Sequence, residues 1–441
     1  MALPKEELNM TQLQCGFAQV DITPALPHSV FLDGYGHRVR PAEGVRDPIF
    51  AKVCVMQGGG KPFALVSMDV CGLNQWLKDR LCDMIGALTE FTYEQVALCA
   101  THTHAAPACG VLELPMNTLY WNGVGEQISQ AILTAQSNMT EGEFRFDKRE
   151  GFNLPFNRRG KENINRNVWT CGFYDTENNL KGVLVNASCH AVSHMDYTIS
   201  ADFPGELTRR GGEEYPDVPF LYLQSRGADI NPPAAGDEGI EGVGGQLADL
   251  VFAALQDQKA GKAVRGEVAA RFERVKIPMS YPDKEQLEAS LAAFTQQLRP
   301  IMHDQDARRH TEGEVLWHAK ALRLVNGGET NPTITVDLQI LQIGGQAIFA
   351  FLPFEVLTVT GNALEERLCE LGIAPENCLV IGYANGTYSY LCPEAEAEAG
   401  GYEAGGACHW YGLPEFSPKS EPAVINGIVT LAKEVLGEKN R

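Results

Sequence analysis

Several features that define other protein classes are missing from this 441-residue sequence. Its twelve cysteines include no C-x-x-C pair, which argues against a disulfide scaffold or a cysteine zinc knuckle and predicts reduced, mostly buried thiols. No run approaches the roughly 20 apolar residues that cross a bilayer, so no transmembrane segment is predicted. The first residues lack the basic start and apolar stretch of a secretory signal, and we therefore expect a cytoplasmic protein.

Basic residues are scarce relative to acidic ones. Lysine and arginine total 36 against 56 aspartates and glutamates, which gives a formal net charge of −20. Because nucleic-acid affinity comes largely from neutralising phosphates, no nucleic-acid partner is predicted. The content of 44% hydrophobic residues is that of an ordinary globular protein. It is compatible with a homo-oligomer without specifying one.

Short apolar runs alternate with helical patterns along the chain, for example at residues 63–70, 74–88 and 95–100. This alternation predicts an α/β fold with a mixed β-sheet core flanked by helices and a metal site at the strand ends. The further predicted strands are 168–174, 182–188, 220–224, 333–343, 347–351 and 378–383. The further predicted helices are 239–256, 284–298, 356–371 and 423–436.

The chain shows no repeat and no Pro/Ser-rich linker. We therefore expect a single catalytic domain over residues 1–441, with a helical insertion at 259–323. The glycine-rich, acidic stretch 393–415 is too irregular for a helix or strand, and its length predicts an active-site loop.

The strongest local motif is an apolar strand at 96–100 followed by His102 and His104. Side chains alternate along a strand, so the two histidines point the same way. That arrangement suits a metal ligand pair, but two hydrogen-bonded structural histidines would give the same pattern.

A second histidine, His190, also follows an apolar strand, and His194 comes four residues later. The β-branched run before His190 favours a strand end over a helix, so we interpret His190 as a ligand and His194 as structural. Asp202 either caps the next helix or holds a histidine ring.

Glu355 follows a third apolar strand, after a proline. An acidic residue is favoured in the first turn of a helix, and this explains Glu355 without any ligand. Two imidazoles and one carboxylate, however, form a common catalytic zinc set with an open position for water or substrate.

Together these segments resemble the neutral/alkaline non-lysosomal ceramidase family, zinc-dependent hydrolases that cut the amide of N-acylsphingosines. The similarity runs through most of the chain. It is carried by residues 16–24, 34–36, 64–70, 101–107, 190, 200–205, 224–232, 353–355, 388–390 and 401–403.

The resemblance implies a zinc site (Zn2+) with ligands His102, His190, Glu355 and Tyr390. Tyr388 lies two residues from Tyr390 and is the alternative. Tyr390 is preferred because it directly precedes a turn, as the ligand tyrosine does in the family.

The resemblance also implies residues that contact the substrate. His104 would face its carbonyl, and Arg158 is similar to the family's substrate-contacting arginine, although a solvated basic loop with Arg159 is the alternative. Asn231 stands where the family carries a serine and would hydrogen-bond substrate. Asp229 is expected as a general base or as a loop-capping acid.

The implied activity is hydrolysis of an amide or related acyl bond by metal-activated water. We expect a small soluble substrate with an amide or ester carbonyl rather than membrane ceramide, because the family's C-terminal β-domain has no counterpart in the sequence. A lactonase or esterase using the same site and a metal-stabilised binding protein without turnover are the alternatives.

Overall fold

The computed structural model describes residues 12–36, 38–111, 114–258, 262–398 and 401–437. Within these ranges the strands are β1 Gln14–Asp21, β2 Gly44–Val45, β3 Phe50–Gln57, β4 Phe63–Met68, β5 Val96–Ala100, β6 Thr140–Glu150, β7 Phe156–Asn157, β8 Asn167–Asp175, β9 Leu180–Ala187, β10 Thr198–Ile199, β11 Phe220–Gln224, β12 Ile230–Asn231, β13 Ala263–Val264, β14 Val268–Ser280, β15 Thr333–Ile343, β16 Ala347–Phe351, β17 Glu355–Val356, β18 Cys378–Ile381, β19 Tyr390–Leu391 and β20 Glu415–Phe416. The α-helices are α1 Gln75–Leu88, α2 Thr118–Ser137, α3 Asp202–Glu214, α4 Gly236–Gln258, α5 Lys284–Leu298, α6 Gln305–Asn326, α7 Thr358–Cys369, α8 Glu394–Glu398, α9 Ala407–Trp410 and α10 Ser420–Val435.

Local side-chain signals set the start of several helices. The Asn74 side chain accepts a hydrogen bond from the backbone N–H of Leu77 (2.8 Å) and caps α1. At α5, Asp283 accepts from the N–H of Gln286 (2.8 Å), and the Gln286 side chain accepts from the N–H of Asp283 (3.1 Å). Such caps satisfy backbone donors that have no partner inside the helix.

The larger sheet has the strand order β11-β9-β8-β6-β1-β3-β4-β5, with β13 also paired to β6. Its two halves meet at β1 and β6, which share only the pairs Gln14↔Glu141 and Cys15↔Thr140. Ser67 Oγ in β4 donates to the carbonyl of Tyr222 in β11 (2.5 Å). The two ends of this sheet therefore fold toward each other.

A second sheet, in the order β18-β16-β15-β14-β20, completes the core. Leu65 and Leu221 from the first sheet and Phe349 from the second belong to one central buried cluster. The outward faces are covered by helices: α1 and α2 on β3 and β4, α3 and α4 on β9 and β11, and α7 and α10 on the second sheet. Strands buried on both faces are apolar almost throughout, as Val96–Ala100 is.

The predicted α/β class, with mixed sheets flanked by helices, is confirmed. Long polar strands such as Thr140–Glu150 and Val268–Ser280 were not predicted. Their charged residues hide the apolar alternation, and their strand conformation depends on pairing with apolar neighbours.

The segment expected as a helical insertion, 259–323, contains both strands and helices. Residues 259–261 lie outside the described residues. Residues 262–280 contribute β13 and β14 to the two sheets, so the helical part begins only at α5 and ends with α6. The division into one domain with an insertion stays a prediction.

A buried ion pair fastens α1 to the second sheet. The Lys78 ammonium contacts Asp337 Oδ2, and the side chains of Lys78 and Asp337 are 0% and 1% exposed. Tyr93 donates to the same oxygen (2.7 Å), and Arg274 Nε lies 3.1 Å from Oδ1. Removing one partner of such a pair leaves an uncompensated buried charge.

We predict that Asp337→Asn lowers the free energy of unfolding by about 3–5 kcal/mol, because Lys78 stays buried without its counter-ion. Urea denaturation measures the change. Asp249→Asn, which alters an exposed aspartate on α4, is the matched control and should change stability little. Equal losses in the two variants would contradict the assigned role of the pair.

Candidate metal centre

His102 and His190 are brought together by the loops that follow β5 and β9. Thr103 and Ala191 form a parallel bridge between these loops. His102 adopts a positive φ of 65°, with its N–H donating to the Val70 carbonyl (3.0 Å). The N–H of His190 donates to the Ile230 carbonyl (2.8 Å). Backbone pairing therefore fixes both residues.

Backbone carbonyls also fix both imidazole rings. His102 Nδ1 lies 2.6 Å from the Cys71 carbonyl oxygen, and His190 Nδ1 lies 2.7 Å from that of Gly227. A carbonyl only accepts, so each Nδ1 carries a proton, and each Nε2 is the ring nitrogen left to face the cluster. Metal-ligating histidines commonly have this outer hydrogen bond.

The Glu355 carboxylate faces the Nε2 atoms of both histidines. Its Oε2 lies 3.5 Å from His102 Nε2 and 3.2 Å from His190 Nε2. Glu355 belongs to β17, whereas α7 begins at Thr358 after its N-cap Leu357. The first-turn explanation of Glu355 is therefore wrong, and this buried carboxylate faces the histidines instead.

The ionisation of these groups is that of a metal ligand set. Burial lowers the pKa of His190 to about 4, and the nearby Arg158 guanidinium acts in the same direction. Burial alone would raise the pKa of the Glu355 carboxyl, but His102 and His190 hold it well below its usual range. Glu355 is thus a carboxylate, the ionised form in which it can bind a metal.

Tyrosines surround this set. The Tyr390 hydroxyl lies 3.4 Å from His190 Nε2, and the two rings are nearly parallel. Tyr388 instead donates to Gln75 Oε1. Of the two tyrosines considered from the sequence, only Tyr390 contacts the histidine–carboxylate cluster.

Two further tyrosines at Glu355 were missed in the sequence. Tyr383 donates to Oε2 (3.4 Å), and Tyr411 donates to Oε1. Tyr383 follows strand β18, so the strand-end rule that singled out His102 would have indicated it. Tyr411 lies in the irregular stretch 393–415, where no local pattern marks a single residue.

His104 lies beside the candidate ligands. Its Nε2 is 3.1 Å from His102 Nε2, and its Nδ1 is buried without a hydrogen-bond partner among the described residues. Burial, with His102 and His190 nearby, lowers the pKa of His104 well below its usual value. His104 is therefore a neutral imidazole next to the cluster.

Arg158 and Asn231 are brought together by the pairing of β7 with β12. Arg158 Nη1 donates to Asn231 Oδ1 (3.4 Å), and its Nε lies 2.8 Å from Glu403 Oε1. Glu403 also binds Arg159, whose side chain is 9% exposed. The alternative of a solvated basic loop is therefore wrong for both arginines.

The contacts of Asp229 and His194 are those of structural residues. Asp229 Oδ1 accepts from the N–H and hydroxyl of Thr358, and its Oδ2 accepts from Asn157 (2.7 Å). These are bonds that a loop-capping acid makes. The His194 ring contacts Thr198 and Asp196 and does not face the cluster.

Asp202 makes no contact with a histidine ring among the described residues. Its Oδ2 accepts from the backbone N–H of His194 (2.8 Å), and its Oδ1 accepts from that of Phe203 (2.7 Å). Asp202 is the first residue of α3, whose N-cap residue is Ala201 and has no side-chain cap, so the carboxylate links the His194 loop to the start of the helix without capping it.

Two other groups of metal-ligating residues occur in the described part of the chain. In the set Cys71, His102 and His104, the His102 Nδ1 that lies 3.9 Å from the Cys71 sulfur is the protonated one, and burial raises the pKa of the thiol. The His102 nitrogen on the Cys71 side is therefore not available to a metal. The set Glu314, His318 and His409 lies on α6 and α9.

The large cavity against α3, about 890 Å³, is separate from this centre. Its lining includes Lys52, Asp69, Glu206 and Arg209 but none of the candidate ligands. We therefore assign the chemistry to the buried histidine–carboxylate cluster, where the protonation states suit a metal, and not to this cavity.

The chain can now be compared with known proteins. Residues 13–165 match the family model described as neutral/alkaline non-lysosomal ceramidase, N-terminal. The crystal structure of neutral ceramidase from Pseudomonas aeruginosa has a TM-score of 0.77 at 19% identity, covering 98% of this chain and 75% of that one. A structure of ceramidase complexed with C2 gives 0.75 at 17%, covering 96% and 75%. No curated protein matches significantly.

The resemblance to the neutral ceramidases is confirmed. The family match supports a hydrolase, and the two solved structures establish the ceramidase fold over nearly the whole chain. The matched range contains His102, His104 and Arg158, whereas His190 and Glu355 lie beyond it. The fold brings these three residues of the matched range together with His190 and Glu355.

None of the helices in the described ranges combines the length and hydropathy that a bilayer crossing requires.

Gly34 lies against the ring of His104. It adopts a φ of +94°, and a Cβ added there would lie 2.4 Å from His104 Cγ. Gly372 has a similar φ of +88°, with open space around the same position. Comparing alanine substitutions at these two glycines therefore separates the effect of backbone strain from direct displacement of the His104 ring.

We predict that Gly34→Ala displaces His104, whereas Gly372→Ala does not. Both variants carry left-handed strain on the order of 1–2 kcal/mol. The measurement is the imidazole NMR signal of His104, assigned through His104→Gln. An unchanged His104 signal in Gly34→Ala would show that the ring is not confined as described.

Proposed function

We propose that this chain is a zinc-dependent hydrolase that cleaves an amide bond in a small soluble substrate. The observation that carries the proposal is the convergence of two histidines on one buried carboxylate. Glu355 Oε2 lies 3.5 Å from His102 Nε2 and 3.2 Å from His190 Nε2, and the Nδ1 of each histidine is held by a backbone carbonyl. The family match over residues 13–165 supports hydrolysis.

The residues fit a zinc ion. Ligand atoms around tetrahedral zinc lie on the order of 3.3 Å apart, since each is about 2.0–2.2 Å from the metal. The measured 3.2 and 3.5 Å separations agree with that spacing. We assign His102, His190 and Glu355 as ligands, with the Tyr390 hydroxyl as the fourth.

Zinc held there would lower the pKa of water to about 7 and polarise the substrate carbonyl. The chain's own residues supply the rest. His104, buried next to His102, is positioned to hydrogen-bond the carbonyl oxygen, and the Arg158 guanidinium stabilises negative charge that develops on it. Asn231, bonded to Arg158, orients the substrate. The surrounding tyrosines bury the centre and separate it from bulk solvent.

The general-base role of Asp229 stays a prediction. Both of its oxygens already accept hydrogen bonds, which suits a residue that braces the loops carrying Asn157 and Thr358. Asp229→Asn distinguishes the two roles. If Asp229 is the general base, the variant loses turnover but keeps normal stability. If Asp229 braces the loops, the variant loses stability first.

We predict that the purified protein binds one zinc ion per chain and that His102→Ala and His190→Ala each lose most of it, because each variant removes one of the two nitrogen ligands from the assigned set of four. Elemental analysis after dialysis gives the occupancy. His303→Ala, which changes an exposed histidine, is the control and should retain full zinc. Full occupancy in either site variant would refute the assignment.

We predict that short, soluble N-acyl amides have a higher kcat/KM than long-chain N-acylsphingosine in mixed micelles. The net charge of −20 gives the chain no overall electrostatic attraction to an anionic bilayer. A substrate panel of amides, lactones and esters measures the preference, with His102→Ala as the inactive control.

Each outcome of the panel distinguishes one alternative. Lactones or esters with the highest kcat/KM would make the chain a lactonase or esterase. Zinc binding without turnover of any substrate would favour a metal-stabilised binding protein. Long-chain N-acylsphingosine with the highest kcat/KM would overturn the small-substrate prediction.

A further inference from the structure

The two oxygens of Glu355 have different partners. Oε2 faces the imidazoles of His102 and His190. Oε1 accepts a hydrogen bond from the Tyr411 hydroxyl. The two oxygens of a carboxylate are equivalent, so the hydroxyl does not choose between them. By holding one oxygen, it fixes the orientation in which the other faces the histidines.

Tyr411 follows directly on α9, and this short helix is attached to α6. The His409 ring stacks on the Trp317 ring, with centroids 3.6 Å apart and an interplanar angle of 25°. His409 Nδ1 lies 2.8 Å from Glu314 Oε2. On the far side of Tyr411, Trp317 Nε1 donates to the Leu413 carbonyl (2.7 Å). The backbone is thus held to α6 on both sides of Tyr411.

The helices α5 and α6 have a small core of their own, formed by Leu287, Trp317 and Ala321. Trp317 therefore belongs both to this core and to the contact with His409. A change in the position of α6 is transmitted to α9 through one rigid aromatic stack. The helical pair has no residue among the candidate ligands, yet it reaches the cluster through α9.

We infer that Tyr411 is a positioning residue for the metal centre and that α5 and α6 serve as its support, through Trp317, His409 and Glu314. The inference rests on the proposed function, since it treats Glu355 as a zinc ligand. Outer hydrogen bonds of this kind typically change metal affinity or activity 10–100-fold.

The group Glu314, His318 and His409 is better explained as this support than as a second metal site. His409 has a carboxylate at each ring nitrogen, Glu314 at Nδ1 and Glu415 at Nε2 (3.3 Å). That arrangement suits a charged imidazolium, which offers no lone pair. His318 Nδ1 lies 2.8 Å from the carbonyl of Glu314, so this nitrogen carries a proton as well.

The central variant is Tyr411→Phe, which removes one hydroxyl and keeps the ring. We expect zinc affinity of the metal-free protein, measured by competition with a fluorescent zinc chelator, to fall 10–100-fold. We also expect kcat to fall with little change in KM, because the substrate contacts at Arg158 and Asn231 remain. Tyr174→Phe is the matched control: its buried hydroxyl donates to the Leu255 carbonyl (3.3 Å), away from the site.

A second variant tests the link to α6. Glu314→Gln keeps the shape of the side chain but removes the charge at His409. We expect a smaller loss of zinc affinity, and the double variant with Tyr411→Phe should lose little beyond Tyr411→Phe alone, because both changes act through the same hydroxyl. Additive losses would show that α6 does not act through Tyr411.

The outcomes separate this inference from the proposed function. If the wild type binds one zinc and hydrolyses amides while Tyr411→Phe retains wild-type zinc affinity, the inference fails and the proposed function stands. A wild type that binds no zinc overturns both. A second equivalent of zinc that Glu314→Gln removes would show that the group on α6 is a metal site and not a support.

Discussion

The hydrogen bonds from His102 Nδ1 to the Cys71 carbonyl and from His190 Nδ1 to the Gly227 carbonyl are the constraint on which the candidate centre depends. They place a proton on Nδ1 of each ring and aim both Nε2 atoms inward. Without them the rings would rotate, and the buried Glu355 carboxylate would keep only the hydroxyls of Tyr383 and Tyr411 as partners.

The architecture makes these bonds available by bringing distant strand ends together. The two sheets share one central core, and helices cover the outer faces, so the loops that follow β5, β9 and β16 converge at one place. Cys71 and Gly227 lie in neighbouring loops that meet at the same place. Apolar packing in the sheets thus fixes the distances that the polar atoms of the site require.

Support for the centre extends outward in layers. Backbone carbonyls fix the histidines, tyrosines 383, 390 and 411 surround Glu355 and His190, and a salt-bridged pair of arginines at Glu403 closes one side. The helical pair α5–α6 adds a further layer through α9. Such layering restricts motion at the ligands, which is what a catalytic metal site needs to keep its geometry.

The sequence by itself determined the fold class and several members of the site. Apolar strands ending in His102, His190 and Glu355 are local signals, because a strand buried on both faces is a continuous apolar run and the next polar residue marks its end. The resemblance added Tyr390 and the residues proposed to contact the substrate. Polar strands such as β14, the strand position of Glu355 and the contact of Tyr411 had no local signal. These were decided by tertiary structure, because each depends on a partner more than 30 residues away in the chain, and only the packed sheets and helices bring those partners within hydrogen-bond distance.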